Sequence, residues 1–184
     1  MQPSPVAHEH DEAALREAIA THPDFPVPGI VFKDIVPLLA DGEKFATAID
    51  RLHDRLTAEN LQLDAIMAVE SRGFIFGAPL ASRLRRGLVL VRKPGKLPGR
   101  TDTFGYTCEY AAGTLTVQSG AVQPGRRYLV LDDLLATGGT ARAVADYTRD
   151  QGGIVAGFCF FIELSFLEGR RLLTGAPLVS LLVY

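Results

Sequence analysis

Residues 127–140 read RYLVLDDLLATGGT, an apolar run that ends in two adjacent carboxylates, followed by two glycines between two threonines. The apolar part, 127–131, predicts a buried strand, and residues 140–151 predict the helix that follows the loop. A strand that leads through a short loop into a helix is typical of a βαβ unit. The segment therefore favours a parallel sheet covered by helices.

The rest of the chain shows the same alternation. Helical patterns (11–20, 43–58, 74–86) alternate with apolar runs that predict strands (64–69, 88–91, 114–118, 154–162, 178–183). Because strands separated by helices form parallel sheets, we predict an α/β fold, a mostly parallel twisted sheet flanked by helices. Ligands of such sheets bind beyond the carboxyl ends of the strands, so the residues after each apolar run are the candidates for function.

The 184 residues fit a single domain over 1–184. Residues 1–10 are polar and predict a loose tail, and residues 21–29 hold three prolines, which predict an extended entry loop. Residues 93–113 are rich in glycine, proline and cations before they turn aromatic. They predict a mobile lid loop that excludes water from a reaction.

Composition and charge exclude several classes of protein. The 19 Lys+Arg and 21 Asp+Glu give a formal net charge of -2, which does not indicate a nucleic-acid partner. No apolar stretch approaches the roughly 18 residues of a membrane helix, and the N-terminus does not resemble a secretory signal, so we expect a cytoplasmic protein. Cys108 and Cys159 lack the spacing of a metal site. We expect both to behave as small apolar residues rather than to form a disulfide.

The loop after 127–131 combines two kinds of recognition. Backbone N–H groups of a glycine-rich loop at a helix N-terminus bind anions, and the threonine hydroxyls add donors. The lysine of the P-loop pattern GxxxxGK[ST] is missing. Two carboxylates beside a phosphate are suited to accept hydrogen bonds from ribose hydroxyls, which indicates a ribose 5-phosphate site. The alternative is an acidic turn that caps the next helix.

Two further segments carry cations suited to phosphate oxygens. Glu70-Ser71-Arg72-Gly73 follows the predicted strand 64–69, and Arg offers bidentate recognition of phosphate. The loop that follows 88–91 places four cations in nine residues, namely Arg92, Lys93, Lys96 and Arg100. In isolation, both segments are also consistent with ordinary solvated turns.

The motif VLDDLLATGGTA resembles the phosphoribosyl-diphosphate (PRPP) motif of the type I phosphoribosyltransferases. Segments at 25–39, 69–81, 91–99, 109–110 and 161–173 resemble the adenine-specific members in particular and occur in their order. The resemblance covers roughly residues 23–175. It implies a homodimeric enzyme that uses Mg2+ and transfers the 5-phosphoribosyl group of PRPP to adenine, giving AMP and diphosphate.

The resemblance also implies roles for individual residues. Glu109 and Arg72 would be catalytic, and Asp132 and Asp133 would hold Mg2+ through water. PRPP would contact Asp132, Asp133, Ala136, Thr137, Gly138, Gly139, Thr140, Ser71, Arg72, Arg92, Lys93 and Lys96, and adenine would contact Val31, Phe32, Lys33 and Leu164. Relatives that act on 6-oxopurines usually carry Asp where this chain has Ala136. Pro94 stands where many relatives carry a cation, and Lys33 replaces an Arg that some relatives carry.

Other interpretations of these residues stay open at this point. Phe32 is also compatible with core packing, and Glu109 with an exposed loop carboxylate. The alternative functions are a phosphoribosyltransferase for another base, such as xanthine or orotate, and a non-catalytic regulator that senses PRPP on the same fold.

Overall fold

The computed structural model describes residues 5–108 and 111–184. The helices in this part of the chain are α1 (Pro5–Glu17), α2 (Val36–Ala40), α3 (Gly42–Ala58), α4 (Arg72–Leu84) and α5 (Gly139–Asp150). The strands are β1 (Ala20–Pro23), β2 (Val31–Asp34), β3 (Ala65–Val69), β4 (Gly87–Val91), β5 (Thr101–Cys108), β6 (Ala111–Gln118), β7 (Arg127–Leu135), β8 (Ile154–Glu163) and β9 (Leu178–Val183). Two 3-10 turns, Ser165–Leu167 and Gly169–Leu172, follow β8.

A five-stranded parallel sheet forms the main body, with strand order β4-β3-β7-β8-β9. The central strands are apolar on both faces because helices cover both sides of a parallel sheet. All five residues of β3 are buried, as are Tyr128 to Leu131 of β7. The sheet confirms the predicted α/β class. Strand β7, from whose sequence the class was predicted, lies at the centre of the sheet.

The chain divides into two compact units, residues 1–51 and 52–184, and the single domain stays a prediction. In the first unit β1 and β2 form an antiparallel pair, in which Pro23 lies opposite Val31. Helix α1 begins at Pro5 and not at Asp11, so residues 5–10 are helical and not the expected loose tail. Proline is well suited to a first helical position because its fixed φ matches the helix and its missing N–H costs no hydrogen bond there.

The predicted lid loop is wrong for residues 101–108, which form strand β5 of an antiparallel hairpin with β6. Phe104 and Tyr106, two residues apart, pack on the core cluster around β7. The Phe104 ring also stacks on Tyr147 of α5, with centroids 4.4 Å apart and planes 11° from parallel. Alternating side chains that reach a core stabilise a strand, and the glycine and proline content of the segment obscured this alternation. Movement of the β5–β6 hairpin stays a prediction.

Strand β4 lies at the edge of the sheet. Its apolar sequence had suggested a strand inside the sheet. Leu88 and Leu90 are each 37% exposed, since β3 covers only one edge of the strand. Among the residues that the structure describes, no helix is both long enough and apolar enough to cross a bilayer.

Candidate active site

The two predicted carboxylates lie in β7, which continues four residues past the predicted end at Leu131. The side chain of Asp133 is 5% exposed, and Arg72 Nε donates to its Oδ2 at 2.8 Å. The backbone N–H of Asp133 donates to Asp132 Oδ1 at 2.9 Å. The structure therefore joins two segments that the sequence kept separate, because β3 and β7 are neighbours and Arg72 follows β3.

Burial and the shared charge dominate the electrostatics of this pair. Burial, and then the adjacent charge of Asp133, raise the pKa of Asp132 well above its ordinary value. Burial also raises the pKa of Asp133, although the Arg72 guanidinium opposes the shift. Two carboxylates thus share one guanidinium at this end of the sheet, an arrangement that favours the approach of a further cation or of hydroxyl donors.

Helix α4 begins directly at this point, and Gly73 explains how it can. A Cβ atom on Gly73 would lie 3.0 Å from both Asp132 Oδ1 and the Leu131 carbonyl oxygen. Glycine therefore lets the first turn of α4 approach the end of β7 closely. Ser71 is the N-cap residue, and Arg72 is the first residue of the helix. The predicted diphosphate segment and the predicted ribose segment are adjacent.

The predicted phosphate loop connects β7 to α5. Gly138 is the N-cap of α5 with φ +84, a left-handed conformation that favours glycine. The predicted helix start at Thr140 lies one residue after the observed start at Gly139. The first N–H groups of a helix lack intrahelical partners and are suited to anions. Phosphate binding at this terminus stays a prediction.

The second cation segment has a partner that the sequence did not reveal. Arg92 Nε and Nη2 both donate to the Glu70 carboxylate at 3.3 Å, and the Lys93 backbone N–H donates to the same group at 2.7 Å. The Lys93 N–H, more than the guanidinium, lowers the pKa of Glu70. The cation predicted to face PRPP is thus held by a carboxylate, and Arg92 Nη1 also donates to the Lys96 carbonyl at 2.8 Å.

The predicted adenine residues lie in two places. Val31, Phe32 and Lys33 form β2 in the first unit, where Phe32 meets Phe25 edge to face at 5.2 Å and Lys33 Nζ donates to Thr21 Oγ1 at 3.2 Å. Leu164 is buried after β8 and donates its N–H to the Leu135 carbonyl at 2.9 Å. The predicted catalytic Glu109 lies outside the described residues.

The sequence interpretation gave no role to three residues beside the phosphate loop. Arg170 forms a two-point ion pair with Glu163, and Gly169 lies against the loop itself. The only sequence signal for them was their place inside the segment 161–173 that resembles the family.

Comparison with known proteins decides the family. The family model described as "Phosphoribosyl transferase domain" matches residues 38–167. The adenine phosphoribosyltransferase of Chloroflexus aurantiacus is 52% identical over 170 residues, which is 92% of this chain and 97% of that protein. The chain belongs to the adenine phosphoribosyltransferase family.

Solved structures of this family have the same fold. The adenine phosphoribosyltransferase of Thermoanaerobacter pseudethanolicus superposes with a TM-score of 0.89 at 46% identity, covering 94% of this chain and 99% of that one. The enzyme of Saccharomyces cerevisiae, solved with adenine and an imino-altritol bisphosphate, gives a TM-score of 0.85 at 35% identity with the same coverage. The family suggested by the sequence motifs is thus confirmed.

Proposed function

We propose that the chain transfers the 5-phosphoribosyl group of PRPP to adenine and releases AMP and diphosphate. The observation that carries this proposal is the position of Asp132 and Asp133 shortly before the glycine-rich start of α5, with Asp133 paired to Arg72 at 2.8 Å. An anion site and acceptors for two ribose hydroxyls thus follow one another along the chain. The family of the chain supports the same activity.

The reaction exchanges one bond at the anomeric carbon of ribose. The bond to the diphosphate oxygen breaks and its electron pair leaves with diphosphate, while adenine N9 bonds to the carbon and gives up its proton. The transition state resembles an oxocarbenium ion, as in glycoside cleavage. Negative charge grows on the diphosphate, and preorganised cations stabilise it most effectively. Arg72, fixed in orientation by Asp133, is proposed for this role, with Lys93 and Lys96 as further contacts.

The loop residues divide the remaining work. Ala136, Thr137, Gly138, Gly139 and Thr140 are proposed to hold the 5-phosphate through backbone N–H groups and hydroxyls. Ser71 is proposed beside the diphosphate, at the start of α4. Holding the ribose at two points restricts its rotation, which lowers the barrier by prior positioning.

Magnesium fits the donors at the end of β7. Mg2+ prefers oxygen ligands, keeps several waters and binds substrate phosphates together with one or two carboxylates. Asp133 supplies a buried carboxylate and Asp132 a half-buried one, and Arg72 is paired with Asp133. When bound, the ion would neutralise charge on the diphosphate. Among the described residues, no cluster of three or more metal-ligating side chains was found, so the protein would supply only part of the coordination shell.

Val31, Phe32, Lys33 and Leu164 remain predicted adenine contacts, and Glu109 remains the predicted catalytic group near the base. Alanine substitution at each of them, with the KM for adenine as the readout, tests these roles one at a time.

We also propose a homodimer in which strand β4 faces a second copy of the chain. Leu88 and Leu90 are exposed at an edge of the sheet, and proteins seldom leave an apolar edge strand uncovered. Sedimentation of the wild type and of Leu88→Glu tests this: a dimer that dissociates in the variant supports the interface, and an unchanged mass contradicts it. The cytoplasmic location stays a prediction that fractionation of the source cells would test.

One assay tests the activity. The protein is mixed with PRPP and Mg2+ and offered adenine, hypoxanthine, guanine, xanthine or orotate, and nucleotide and diphosphate are measured. Formation of both with adenine alone supports the proposal. Turnover of another base would reassign the substrate, and PRPP binding without turnover of any base would indicate a regulator.

A further inference from the structure

The two 3-10 turns after β8, residues 165–172, lie directly against the phosphate loop. A Cβ atom on Gly169 would collide with the Ala136 carbonyl oxygen and would lie 2.9 Å from both Gly138 N and Thr137 C. In the opposite direction, a Cβ atom on Gly138 would lie 2.5 Å from the Gly169 carbonyl oxygen. The two backbones therefore approach so closely that neither position has room for a side chain.

A two-point ion pair fixes this turn to the end of β8. Arg170 Nε and Nη2 donate to the two carboxylate oxygens of Glu163 at 2.9 and 2.6 Å, and Arg170 Nη1 donates to the Leu178 carbonyl at 3.3 Å. The Glu163 side chain is 6% exposed, so water screens the pair little on that side. The planar guanidinium thus sets both the distance and the orientation of the turn.

The start of the segment is held independently. The Ser165 N–H and Oγ both donate to the Tyr184 carbonyl, at 2.8 and 2.6 Å, and the Leu164 N–H donates to the Leu135 carbonyl at 2.9 Å. Residues 165–172 are therefore held by hydrogen bonds before and within the turn, and the phosphate loop packs on this anchored segment. A loop supported in this way loses less conformational entropy when it binds an anion.

We propose that Gly169 and the Glu163–Arg170 pair are positioning residues for the 5-phosphate of PRPP, which act through the phosphate loop without touching the substrate. The proposal rests on the proposed function of that loop. The turn supports the side of the loop near Ala136, Thr137 and Gly138, and so keeps the loop N–H groups in the orientation that a phosphate requires.

Gly169→Ala is the most direct test. The φ of Gly169 is not in the left-handed region, so alanine costs little backbone strain and its methyl group acts by displacing the loop. A displacement of about 1 Å in a group that positions the substrate lowers the reaction rate on the order of 10²-fold. We expect the KM for PRPP to rise about ten- to hundredfold, and the KM for adenine to change less than about twofold. Gly42→Ala is the matched control, because a Cβ atom there meets no other atom within 4 Å.

The ion pair is tested separately in case Gly169→Ala does not fold. Arg170→Ala should raise the KM for PRPP, and Arg170→Lys should raise it less, because lysine keeps the charge but not the two-point geometry. The control is Arg171→Ala, because Arg171 lies in the same 3-10 turn, Gly169–Leu172. Arg171 pairs with Glu168 at 2.8 Å, but these side chains are 76% and 56% exposed, so the KM for PRPP should stay unchanged.

Binding of ribose 5-phosphate, measured by calorimetry, separates this inference from the proposed activity. Weaker binding to Gly169→Ala than to wild type supports the positioning role, even if the wild type fails to make AMP, in which case only the proposed activity fails. Folded Gly169→Ala and Arg170→Ala proteins with wild-type PRPP kinetics and ribose 5-phosphate affinity would overturn the inference. Equal increases in the KM for both substrates, together with a lower melting temperature, would also overturn it, since a purely structural role predicts that result.

Discussion

Replacement of Asp133 by Asn should remove activity without unfolding the protein. Asn has nearly the same shape as Asp but carries no charge, so it leaves the packing at the end of β7 in place. The adjacent carboxylates of the half-buried Asp132 and the buried Asp133 share the charge of Arg72, and Asp133 receives the Nε bond at 2.8 Å. The substitution therefore changes charge while it nearly conserves volume.

The effect on stability is small because two contributions oppose each other. Neutralising Asp133 weakens the bond from Arg72, since a hydrogen bond to a charged group contributes about 1 kcal/mol more than a neutral one. The same change removes the repulsion that raises the pKa of Asp132. We expect the free energy of unfolding to change by less than about 1 kcal/mol, which corresponds to about 2–4 °C in the melting temperature of a domain of this size.

The effect on catalysis is large. In the proposed complex Asp133 makes two charge-assisted contacts, one to a ribose hydroxyl and one to the hydration shell of Mg2+, each worth about 1.5–3 kcal/mol. The loss of about 3–6 kcal/mol corresponds to a fall in kcat/KM between about 10²- and 10⁴-fold. Initial rates of AMP formation over a range of PRPP concentrations measure it, beside a thermal melt of the same preparation.

Asp146→Asn provides the matched control. Asp146 lies on α5 and is 42% exposed, and it pairs with Arg142 at 2.6 Å and Arg149 at 3.2 Å. Exposed pairs contribute little, so this variant should keep wild-type kcat/KM. Near-normal turnover of Asp133→Asn would refute the ribose assignment. A large fall in its melting temperature would refute the argument that repulsion offsets the lost bond.

Three further predictions concern other parts of the chain. The Arg170 guanidinium holds the pKa of Glu163 below its ordinary value of 4.5. The pair therefore stabilises the fold above pH 4.5, and this stabilisation is lost as the pH falls through the lowered folded pKa. In urea titrations, the difference in unfolding free energy between wild type and Glu163→Gln should disappear in acid, and a difference independent of pH would contradict this. Burial raises the pKa of the Cys159 thiol to about 12. At most one of the two thiols of the folded chain should therefore react with DTNB at pH 8, and both should react in guanidinium. Rapid reaction of two thiols before unfolding would contradict the burial of Cys159. Tyr147→Phe keeps the ring stack but removes the bond to Asp102 at 2.8 Å, so thermal unfolding should show a loss of about 1 kcal/mol, whereas an unchanged melting temperature would mean that the bond contributes nothing.

The parallel sheet and the strand–loop–helix segment at 127–140 were predictable because their signals are local. An apolar run, two carboxylates and a glycine pair lie within 14 consecutive residues, 127–140, and strand, loop and helix follow from that order alone. The β5–β6 hairpin was harder to predict. Strand β5 depends on the packing of Phe104 on Tyr147, which is distant along the chain, and that contact outweighs the loop-like composition of the segment.

The sequence by itself determined the α/β class and the family, and it placed Asp132 and Asp133 between a strand and the start of a helix. The tertiary structure decided which charges meet. It paired Arg72 with Asp133, held Arg92 on Glu70 and placed Gly169 against the loop between β7 and α5. The physical reason is that a pattern of apolar residues specifies local conformation, whereas the partner of a charged side chain depends on which strands are neighbours and how closely their loops approach.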